Sequence, residues 1–379
     1  MAKNKKFKIL IMAAGTGGHI IPGLAIAKKL QEDNQSVEIQ WLGTHKGLES
    51  KLVSKENIKI NYISVWGLRN KAILIKLLAP FRLLYALLQA IIVMLKFRPN
   101  IVLGMGGFVC GPGGLAAFLT RRKLVIHEQN AIAGFTNSIL ARFAKQVFEG
   151  FPNSFNKIQS KIKHKLKYTG NPIRTDILNI PSPKIRFQNK LNKKDVNILI
   201  IGGSRGAVAL NKLIPETLNQ LLNKNNTDVN YNITHQCGDL NYKETLSVYK
   251  KYNLDNKNNI NIIKYIDNIV DYYSNADLII CRSGAMTVSE IAAVGLAAIF
   301  IPFPQAVDDH QTKNAKFLES NNAAVIMQQK NLTSENLADK ILELINTEDL
   351  LERMAINAKK VSKVEALGNI CNKIFQPKS

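Results

Sequence analysis

Two segments of the chain share one pattern, in which a continuous apolar run is followed by a glycine-rich turn and then by a run with helical periodicity. The first segment spans 6–30 and the second spans 196–222. Unbroken apolar runs are typical of parallel strands covered on both faces, and a strand, a glycine turn and a helix in that order open a Rossmann-like domain. The sequence therefore predicts two such domains.

Strands and helices are predicted to alternate through both halves of the chain. Further apolar runs predict strands at 37–42, 101–105, 123–127, 146–149, 231–236, 260–264, 278–281, 298–301 and 324–327. Helices are predicted at 22–30, 208–222, 287–293 and 311–319. This alternation indicates an α/β protein with two parallel sheets facing a central cleft, in which ligands bind beyond the carboxyl ends of the strands.

The boundary between the two domains is predicted near 170–174, which gives a first domain at 1–173 and a second at 174–362. The stretch from 175 to 194 contains Pro181, Pro183 and many lysines and asparagines, and it is predicted to be a linker. The 379 residues suffice for two domains, since a domain has roughly 100–200 residues.

The chain is strongly basic, with a formal net charge of +23. Such an excess indicates an anionic partner, either nucleic acid, a phosphorylated ligand or an anionic membrane surface, although a solvated lysine-rich surface explains it equally well. No nucleic-acid recognition motif accompanies the charge, so nucleic acid is not an expected partner. The four cysteines lie far apart and form no CxxC pair, which argues against a zinc site or a disulfide framework.

The most apolar stretch lies at 72–95. Lys76, Pro80 and Arg82 interrupt its first half, and the uninterrupted part, 83–95, is shorter than the roughly 20 residues of a bilayer span. We therefore predict no transmembrane helix here, but one or two helices. Either they form an ordinary core helix, or they lie in the headgroup region with the basic residues at the rim.

The first glycine turn is Gly15–Gly18, followed by His19. Glycines let backbone N–H groups approach a phosphate or a sugar at the start of a helix. Ile20 stands where a dinucleotide fingerprint needs glycine, so NAD or FAD is not indicated. His19 is either a packing residue or a general base for a hydroxyl group.

A second cluster has six glycines within 104–114. One interpretation is a loop whose backbone amides wrap an anion such as a diphosphate, and the other is a loop with close helix packing. A third cluster, Gly202–Gly206, lacks the ending of a P-loop but includes Ser204, which could hold phosphates.

The segment from Cys281 to Glu290 is predicted to join a strand to a helix. Glu290 could accept hydrogen bonds from two ribose hydroxyls, or it could form a capping box with Thr287 as N-cap. Further on, Asp308, His310 and Gln311 open another helix beyond a strand. No Asp-X-Asp motif for a diphosphate-bound metal is present, so no metal or other cofactor is expected.

Seven motifs follow one another along the chain: AAGTGGHIIPGLAIA, GMGGFVCGPGG, HEQNAIAG, GNPIR, GGSRGA, CRSGAMTVSEIAAVGLAAIFIPFP and DDHQTKNA. In this order and spacing they resemble the MurG family, the UDP-N-acetylglucosamine–N-acetylmuramyl-(pentapeptide) pyrophosphoryl-undecaprenol N-acetylglucosaminyltransferases of peptidoglycan synthesis. The resemblance extends from Lys6 to the final helix. Each motif alone is weak, but the ordered set is specific.

The resemblance implies a GT-B fold in which a last helix, at about 363–379, joins the first domain. It implies a hexosyltransferase that moves GlcNAc from UDP-GlcNAc to the 4-hydroxyl of MurNAc in lipid I, giving lipid II with inverted anomeric configuration. It also implies a catalytic role for His19 or Glu128, as base or in positioning the acceptor. The implied contacts to UDP-GlcNAc are Thr16, Gly17, Gly18, Asn130, Arg174, Ser204, Ile266, Ala285, Met286, Thr287, Val288, Ser289, Glu290 and Gln311.

The acceptor diphosphate is expected at the first two glycine loops, and the residues implied there are Gly15, Gly104, Gly106, Gly107 and Phe108. Two positions depart from the family pattern. Phe108 stands where tyrosine is common, so a hydroxyl contact is absent, and Arg205 stands where glutamine is usual, so a charge is added near the diphosphate.

A lipid-borne acceptor requires a membrane surface, so the resemblance makes 72–95 with Arg69, Lys71, Lys76 and Arg82 the expected docking patch for anionic lipids. The expected location is peripheral, at the cytoplasmic face of the plasma membrane. Other proteins of cell-wall synthesis or division are candidate partners. Two alternatives remain open, a UDP-GlcNAc epimerase on the same fold and a non-catalytic membrane-peripheral scaffold.

Overall fold

The computed structural model of the chain describes residues 6–34, 36–45, 47–65, 79–192, 194–202, 207–224 and 229–375. The chain divides into two units, one formed by Met1–Arg174 with Lys363–Ser379 and the other by Thr175–Ser362. The boundary predicted between 173 and 174 lies one residue before this division.

The first unit contains a parallel sheet of seven strands in the order β3-β2-β1-β4-β5-β6-β7. Its strands are β1 (Phe7–Ala13), β2 (Val37–Gly43), β3 (Lys59–Tyr62), β4 (Ile101–Gly106), β5 (Lys123–Glu128), β6 (Gln146–Glu149) and β7 (Leu166–Tyr168). Its helices up to β7 are α1 (Gly17–Asp33), α2 (Glu49–Leu52), α3 (Ala79–Phe97), α4 (Cys110–Leu119), α5 (Phe135–Phe143) and α6 (Gln159–Ile162). The strand order reverses between β1 and β4, the kind of point where ligands bind in open α/β sheets.

Strand β1 explains the unbroken apolar run at the start of the chain. Ile9 and Ile11 are buried in the core on one face of the sheet, and Leu10 and Met12 are buried in the core on the other. Successive side chains of a strand point to opposite faces, so a strand covered on both sides has to be apolar throughout.

The C-terminal segment packs on this first unit. Helix α15 (Ala366–Phe375) places Ile370 and Ile374 in the same core cluster as Ile9. The rings of Phe7 and Phe375 lie 5.7 Å apart, centroid to centroid.

The second unit contains a parallel sheet of six strands in the order β10-β9-β8-β11-β12-β13. Its strands are β8 (Asp195–Ile201), β9 (Asn230–Gln236), β10 (Ile260–Ile263), β11 (Leu278–Cys281), β12 (Ala297–Phe300) and β13 (Ala324–Ile326). Its helices are α7 (Pro183–Gln188), α8 (Val208–Lys224), α9 (Tyr242–Lys251), α10 (Ile269–Asn275), α11 (Ala285–Val294), α12 (His310–Glu319), α13 (Ser334–Asn346) and α14 (Leu350–Val361).

Every predicted strand is confirmed to within one or two residues, and two strands were missed. The missed strands, β3 and β7, form the two edges of the first sheet. Their sequences are KINY and LKY, and none of these side chains is buried. A short strand at the edge of a sheet need not carry an apolar run, so hydrophobic patterning does not reveal it.

The prediction of a linker at 175–194 was wrong. This stretch contains a 3₁₀ helix, Thr175–Asn179, and helix α7, which begins at a proline as many helices do. Arg186 of α7 donates hydrogen bonds to the backbone carbonyls of Tyr273, Val294 and Gly295. The stretch is therefore a packed part of the second unit.

Helix α3 covers most of the apolar stretch at 72–95, for which the sequence predicts one or two helices. Within the described residues it runs without a break from Ala79 through Pro80 and Arg82. By length and composition it is the one helix of the described ranges that could cross a membrane, which by itself is weak evidence. Ala86, Ala90 and Met94 are buried in the core of the first unit, so one face of α3 packs against protein.

Two buried histidines make the stability of the fold sensitive to acid. Burial lowers the pKa of His127, in the first unit, to about 4 and the pKa of His235, in the second, to about 3. Both pKa values lie below that of an unfolded histidine, so the unfolded chain binds more protons. The stability that they contribute is present above about pH 6.5 and is lost as the pH falls towards these values.

We therefore expect the free energy of unfolding to fall by about 2 kcal/mol per histidine between about pH 7 and about pH 5. Thermal unfolding followed by calorimetry at both pH values measures this change. The variant His235→Gln should flatten the pH dependence of the second unit alone. An equal Tm at both pH values would contradict the burial of neutral histidines.

Candidate active site

Three loops of the first unit follow the neighbouring strands β1, β4 and β5. Because these strands are parallel, their carboxyl ends lie at one edge of the sheet. The loops contain Gly15–Thr16, Gly107–Val109 and Gln129–Gly134. Most of the predicted acceptor and catalytic residues lie on these loops or at the ends of the strands beside them.

His19 lies in the first turn of α1, where the three loops converge. Its Nδ1 is 3.0 Å from Oε1 of Gln129, beyond β5. Its ring packs directly on Gly106, the last residue of β4, since a Cβ there would lie 2.7 Å from Cε1 and Nδ1 of the imidazole. Gly106 has a φ of +113°, which disfavours any other residue. The imidazole is half-buried and held from two sides.

The interpretation of 104–114 as one anion-binding loop was wrong for most of its glycines. Gly104 belongs to β4, and Gly113 and Gly114 belong to α4. A Cβ on Gly113 would lie 2.4 Å from Sδ of Met12, and one on Gly114 would lie 2.6 Å from Cδ2 of Leu140. Gly113 and Gly114 therefore permit close packing of α4, whereas the turn at Gly106 and Gly107 and the exposed Phe108 lie beyond the end of β4.

Sequence reasoning missed a buried carboxylate beside the first glycine loop. Glu49 is fully buried and accepts hydrogen bonds from the backbone N–H of Gly15 at 3.1 Å and of Thr44 at 2.7 Å. Gly47 wraps around it, since a Cβ there would lie 1.9 Å from the carboxylate. Gly15 thus gives its amide to Glu49, which fixes the start of the loop. A lone glutamate on a short helix gave no sequence signal for this role.

Glu128, the second candidate for a catalytic role, is buried and surrounded by donors. One oxygen accepts from the backbone and side-chain nitrogens of Asn130, at 2.9 and 3.0 Å. The other accepts from the backbone N–H of Gly134 at 3.1 Å and from the side chain of Asn137 at 2.9 Å. The carboxylate therefore holds the loop after β5 in place.

In the second unit, α11 begins one turn earlier than a capping box requires. Gly284 is its N-cap, so the interpretation of Thr287 as N-cap with Glu290 was wrong. Glu290 is buried and accepts a hydrogen bond from the hydroxyl of Tyr273 at 3.1 Å. Ala285 and Met286 form the start of the helix beside Gly284.

Packing within the protein restricts how two residues of α11 that are predicted to contact UDP-GlcNAc could reach it. The side chain of Val288 is fully buried in the core, and the hydroxyl of Ser289 donates to the carbonyl of Ala285 at 2.9 Å. Thr287 is half-buried at the same end of the helix. A ligand at this end would thus meet Thr287 and the first backbone amides rather than the side chain of Val288.

The loop after β12 is held by two side chains. Arg282 donates to the carbonyls of Ile301 and Pro302, at 2.9 and 3.1 Å. Oε1 of Gln311 accepts from the backbone N–H of Phe303 at 2.9 Å, so a ligand would meet the amide nitrogen of this side chain. The CRSG motif contains Arg282, but sequence reasoning gave it no role.

The remaining predicted positions are distributed over both units. Ile266 is buried after β10, and Asn130 and Arg174 are half-buried in the first unit. Ser204 and Arg205 lie outside the described residues. Within the described ranges, no three histidine, cysteine, aspartate or glutamate side chains are grouped as a metal site would require.

Both halves of the chain match domains of one enzyme family. Residues 9–149 match the glycosyltransferase family 28 N-terminal domain, and residues 197–369 match the glycosyltransferase family 28 C-terminal domain. A crystal structure of MurG from Acinetobacter baumannii superimposes with a TM-score of 0.80 at 39% identity, covering 97% of this chain and 99% of that one. A UDP-GlcNAc 2-epimerase from Neisseria meningitidis shares the fold alone, at 16% identity and a TM-score of 0.67.

Curated relatives are similar along nearly the whole chain. One from Acinetobacter baumannii (strain AYE) is 44% identical over 375 residues, 98% of each chain. One from Burkholderia pseudomallei (strain 1106a) is 41% identical over 362 residues, 96% of this chain and 94% of the relative. Both are named UDP-N-acetylglucosamine–N-acetylmuramyl-(pentapeptide) pyrophosphoryl-undecaprenol N-acetylglucosamine transferase.

The two parallel sheets and the two matched domains define a glycosyltransferase with the GT-B fold. Within that class the chain belongs to the MurG family of N-acetylglucosamine transferases.

Proposed function

We propose that this chain transfers GlcNAc from UDP-GlcNAc to the 4-hydroxyl of MurNAc in undecaprenyl-diphosphoryl-MurNAc-pentapeptide, lipid I, and so forms lipid II. The names of the relatives support these substrates. The observation that carries the chemistry is the half-buried imidazole of His19, held by Gly106 and Gln129 beside the glycine turns at the switch point of the first sheet.

We assign acceptor binding to the first unit and most of the donor contacts to the second. The turns at Gly15, Gly106, Gly107 and Phe108 would contact the acceptor diphosphate, with Gly104 supporting them from within β4. The contacts proposed for UDP-GlcNAc are Thr16, Gly17, Gly18, Asn130, Arg174, Ser204, Ile266, Ala285, Met286, Thr287, Val288, Ser289, Glu290 and Gln311, with Val288 contributing only its backbone because its side chain is buried.

In the proposed reaction, the acceptor oxygen attacks the anomeric carbon as His19 removes the hydroxyl proton. The new C–O bond forms while the bond from the anomeric carbon to the UDP oxygen breaks, and UDP leaves with the bonding electrons. The backbone N–H groups at the start of α11 stabilise the charge of the leaving diphosphate, with the helix dipole behind them.

We assign the base to His19 rather than to Glu128. Both oxygens of Glu128 already accept hydrogen bonds from the loop after β5 and from Asn137 of α5. Each oxygen accepts two of these hydrogen bonds, so the carboxylate already uses the lone pairs with which it would take a proton. Glu128 therefore supports Asn130 and the loop, and His19 is left to take the proton.

We further propose that the first unit docks on an anionic membrane surface at the cytoplasmic face. The exposed side of α3 carries an apolar stripe with helical spacing, formed by Phe81, Leu84, Tyr85, Leu88, Ile92 and Leu95. The neighbouring helix α4 adds the exposed Phe118, whose ring lies 4.9 Å from that of Phe143 on α5. Three basic residues on or next to these helices are also exposed: Lys96, Arg121 and Arg142.

This docking face has the composition of a surface that lies on a membrane rather than crossing it, since the opposite side of α3 is core. The part of the expected patch at 66–78, with Arg69, Lys71 and Lys76, lies outside the described residues.

The double variant Leu84→Asn/Leu88→Asn should bind vesicles containing phosphatidylglycerol roughly 30-fold more weakly, since about 2 kcal/mol of apolar burial is lost. Cosedimentation measures the binding. The control Leu240→Asn removes a leucine of the second unit that is 90% exposed, and it should bind as the unaltered protein does. Equal binding of the double variant and the control would contradict the proposed docking face.

The transferase and the epimerase alternatives are separated by the products formed with and without the acceptor. Purified protein is incubated with radiolabelled UDP-GlcNAc and EDTA, either alone or with a short-chain lipid I analogue. We expect labelled disaccharide lipid only when the acceptor is present. The appearance of UDP-ManNAc without acceptor would instead support an epimerase, and no product in either case would support the scaffold.

A further inference from the structure

A chain of three hydrogen bonds connects His19 to the interior of the first unit. Nδ1 of His19 lies 3.0 Å from Oε1 of Gln129, and Nε2 of Gln129 lies 3.1 Å from Nδ1 of His127. Nε2 of His127 lies 3.1 Å from the carbonyl oxygen of Gly170. His127 and Gln129 are both almost fully buried, so water does not compete for these groups.

The chemistry of the groups fixes the direction of every bond in this chain. The carbonyl of Gly170 can only accept, and the hydroxyl of Thr169 also donates to it at 3.1 Å. Nε2 of His127 must therefore carry its proton, and Nδ1 of a neutral His127 must accept. Burial lowers the pKa of His127 to about 4, which keeps the ring neutral at physiological pH.

The orientation of the Gln129 amide fixes the direction of the hydrogen bond to His19. Its amide nitrogen donates to Nδ1 of His127 and lies 3.3 Å from the carbonyl oxygen of His127, so turning the amide over would set two oxygens against each other. Oε1 must then face His19, where it can only accept. Nδ1 of His19 therefore carries a proton, and Nε2 of the neutral ring carries a lone pair.

We propose that Gln129 and His127 are positioning residues that hold His19 in the Nδ1–H tautomer and present its Nε2 lone pair to the acceptor hydroxyl. The tautomer follows from the hydrogen bonds alone, and the role of Nε2 rests on the proposed function. The backbone of Gln129 is itself fixed, since the side chain of Asn171 donates to its carbonyl at 3.0 Å.

Nuclear magnetic resonance of the full chain labelled with ¹⁵N-histidine reads the tautomers directly. The sequence has six histidines, and the variants His19→Gln and His127→Asn assign the two that matter. At neutral pH we expect His19 to carry its proton on Nδ1 and His127 to carry its proton on Nε2. A proton on Nε2 of neutral His19 would overturn the proposal.

The variant Gln129→Met keeps the volume of the side chain and removes its hydrogen bonds to His19 and His127. We expect the spectrum of His19 to become that of a tautomer mixture and kcat for transfer to fall about tenfold or more, with an unchanged KM for UDP-GlcNAc. The control Gln146→Met removes a glutamine at the opposite end of the sheet, which donates to the carbonyl of Lys165, and should change neither the tautomer nor kcat.

An unchanged His19 tautomer in Gln129→Met would overturn the positioning role. A changed tautomer with an unchanged kcat would support the hydrogen-bond chain and contradict the proposed role of His19 as base.

Discussion

Replacing His19 with glutamine is expected to lower kcat for GlcNAc transfer by about 10³-fold while the binding of UDP-GlcNAc changes by less than about twofold. A positioned base removes the acceptor proton as the new bond forms, and glutamine cannot take that proton. Glutamine can still occupy the space above Gly106, so the glycine turns should keep their shape. Steady-state kinetics with a short-chain lipid I analogue and calorimetry with UDP-GlcNAc measure the two quantities.

The matched comparison is Glu128→Gln, which changes the other candidate base. In this variant the amide nitrogen replaces one carboxylate oxygen and therefore faces two N–H groups that donated to that oxygen. We expect the free energy of unfolding to fall by about 1–3 kcal/mol. Its lower activity should accompany a lower Tm, whereas His19→Gln should lose activity at an unchanged Tm. A His19→Gln protein that retains most of its kcat would contradict the assignment of the base.

Replacing Glu290 with glutamine is expected to raise the KM for UDP-GlcNAc by about 100-fold. The carboxylate is proposed to accept hydrogen bonds from both ribose hydroxyls, and losing its charge removes about 2–3 kcal/mol from this pair. Because the ribose belongs to the nucleotide, the affinity for UDP alone should fall by the same factor. Calorimetry with UDP and with UDP-GlcNAc compares the two losses.

The variant Tyr273→Phe separates the orientation of Glu290 from its charge. Tyr273 donates to Glu290 at 3.1 Å, so removing its hydroxyl leaves the carboxylate in place but less restrained. We expect a loss of about fivefold in UDP affinity, since a single neutral donor is removed. If Glu290→Gln lowers the Tm but leaves UDP affinity unchanged, Glu290 only supports Tyr273 and does not hold the ribose.

Most of the fold could be predicted because a strand that is buried on both faces of a sheet needs an unbroken run of apolar residues. Strands such as β1 and β11 lie inside parallel sheets, and their runs of apolar residues can hardly form anything else. The edge strands β3 and β7 have no such apolar run. The segment at 175–194 was mistaken for a linker because Pro183 starts a helix as readily as it interrupts one.

The candidate site could be predicted only as a set of loops. Glycines near the ends of strands indicate where backbones approach closely, but they do not tell a ligand from a neighbouring helix, and Gly113 and Gly114 proved to serve the helix. The partners of His19 and Gly15 are Gln129 and Glu49, which lie 110 and 34 residues away along the chain. Such contacts depend on the register of the sheet, which no local pattern contains.

The proposed reaction is a single displacement at the anomeric carbon, in which the acceptor oxygen attacks as UDP leaves. The anomeric configuration of the product tests it most directly, by the coupling constant of the transferred sugar in the proton NMR spectrum of the isolated disaccharide. UDP-GlcNAc carries its sugar in the α configuration, so we expect a β linkage to the 4-oxygen of MurNAc. An α linkage would mean that the configuration is retained, which a single back-side displacement does not give, and it would contradict the proposed reaction.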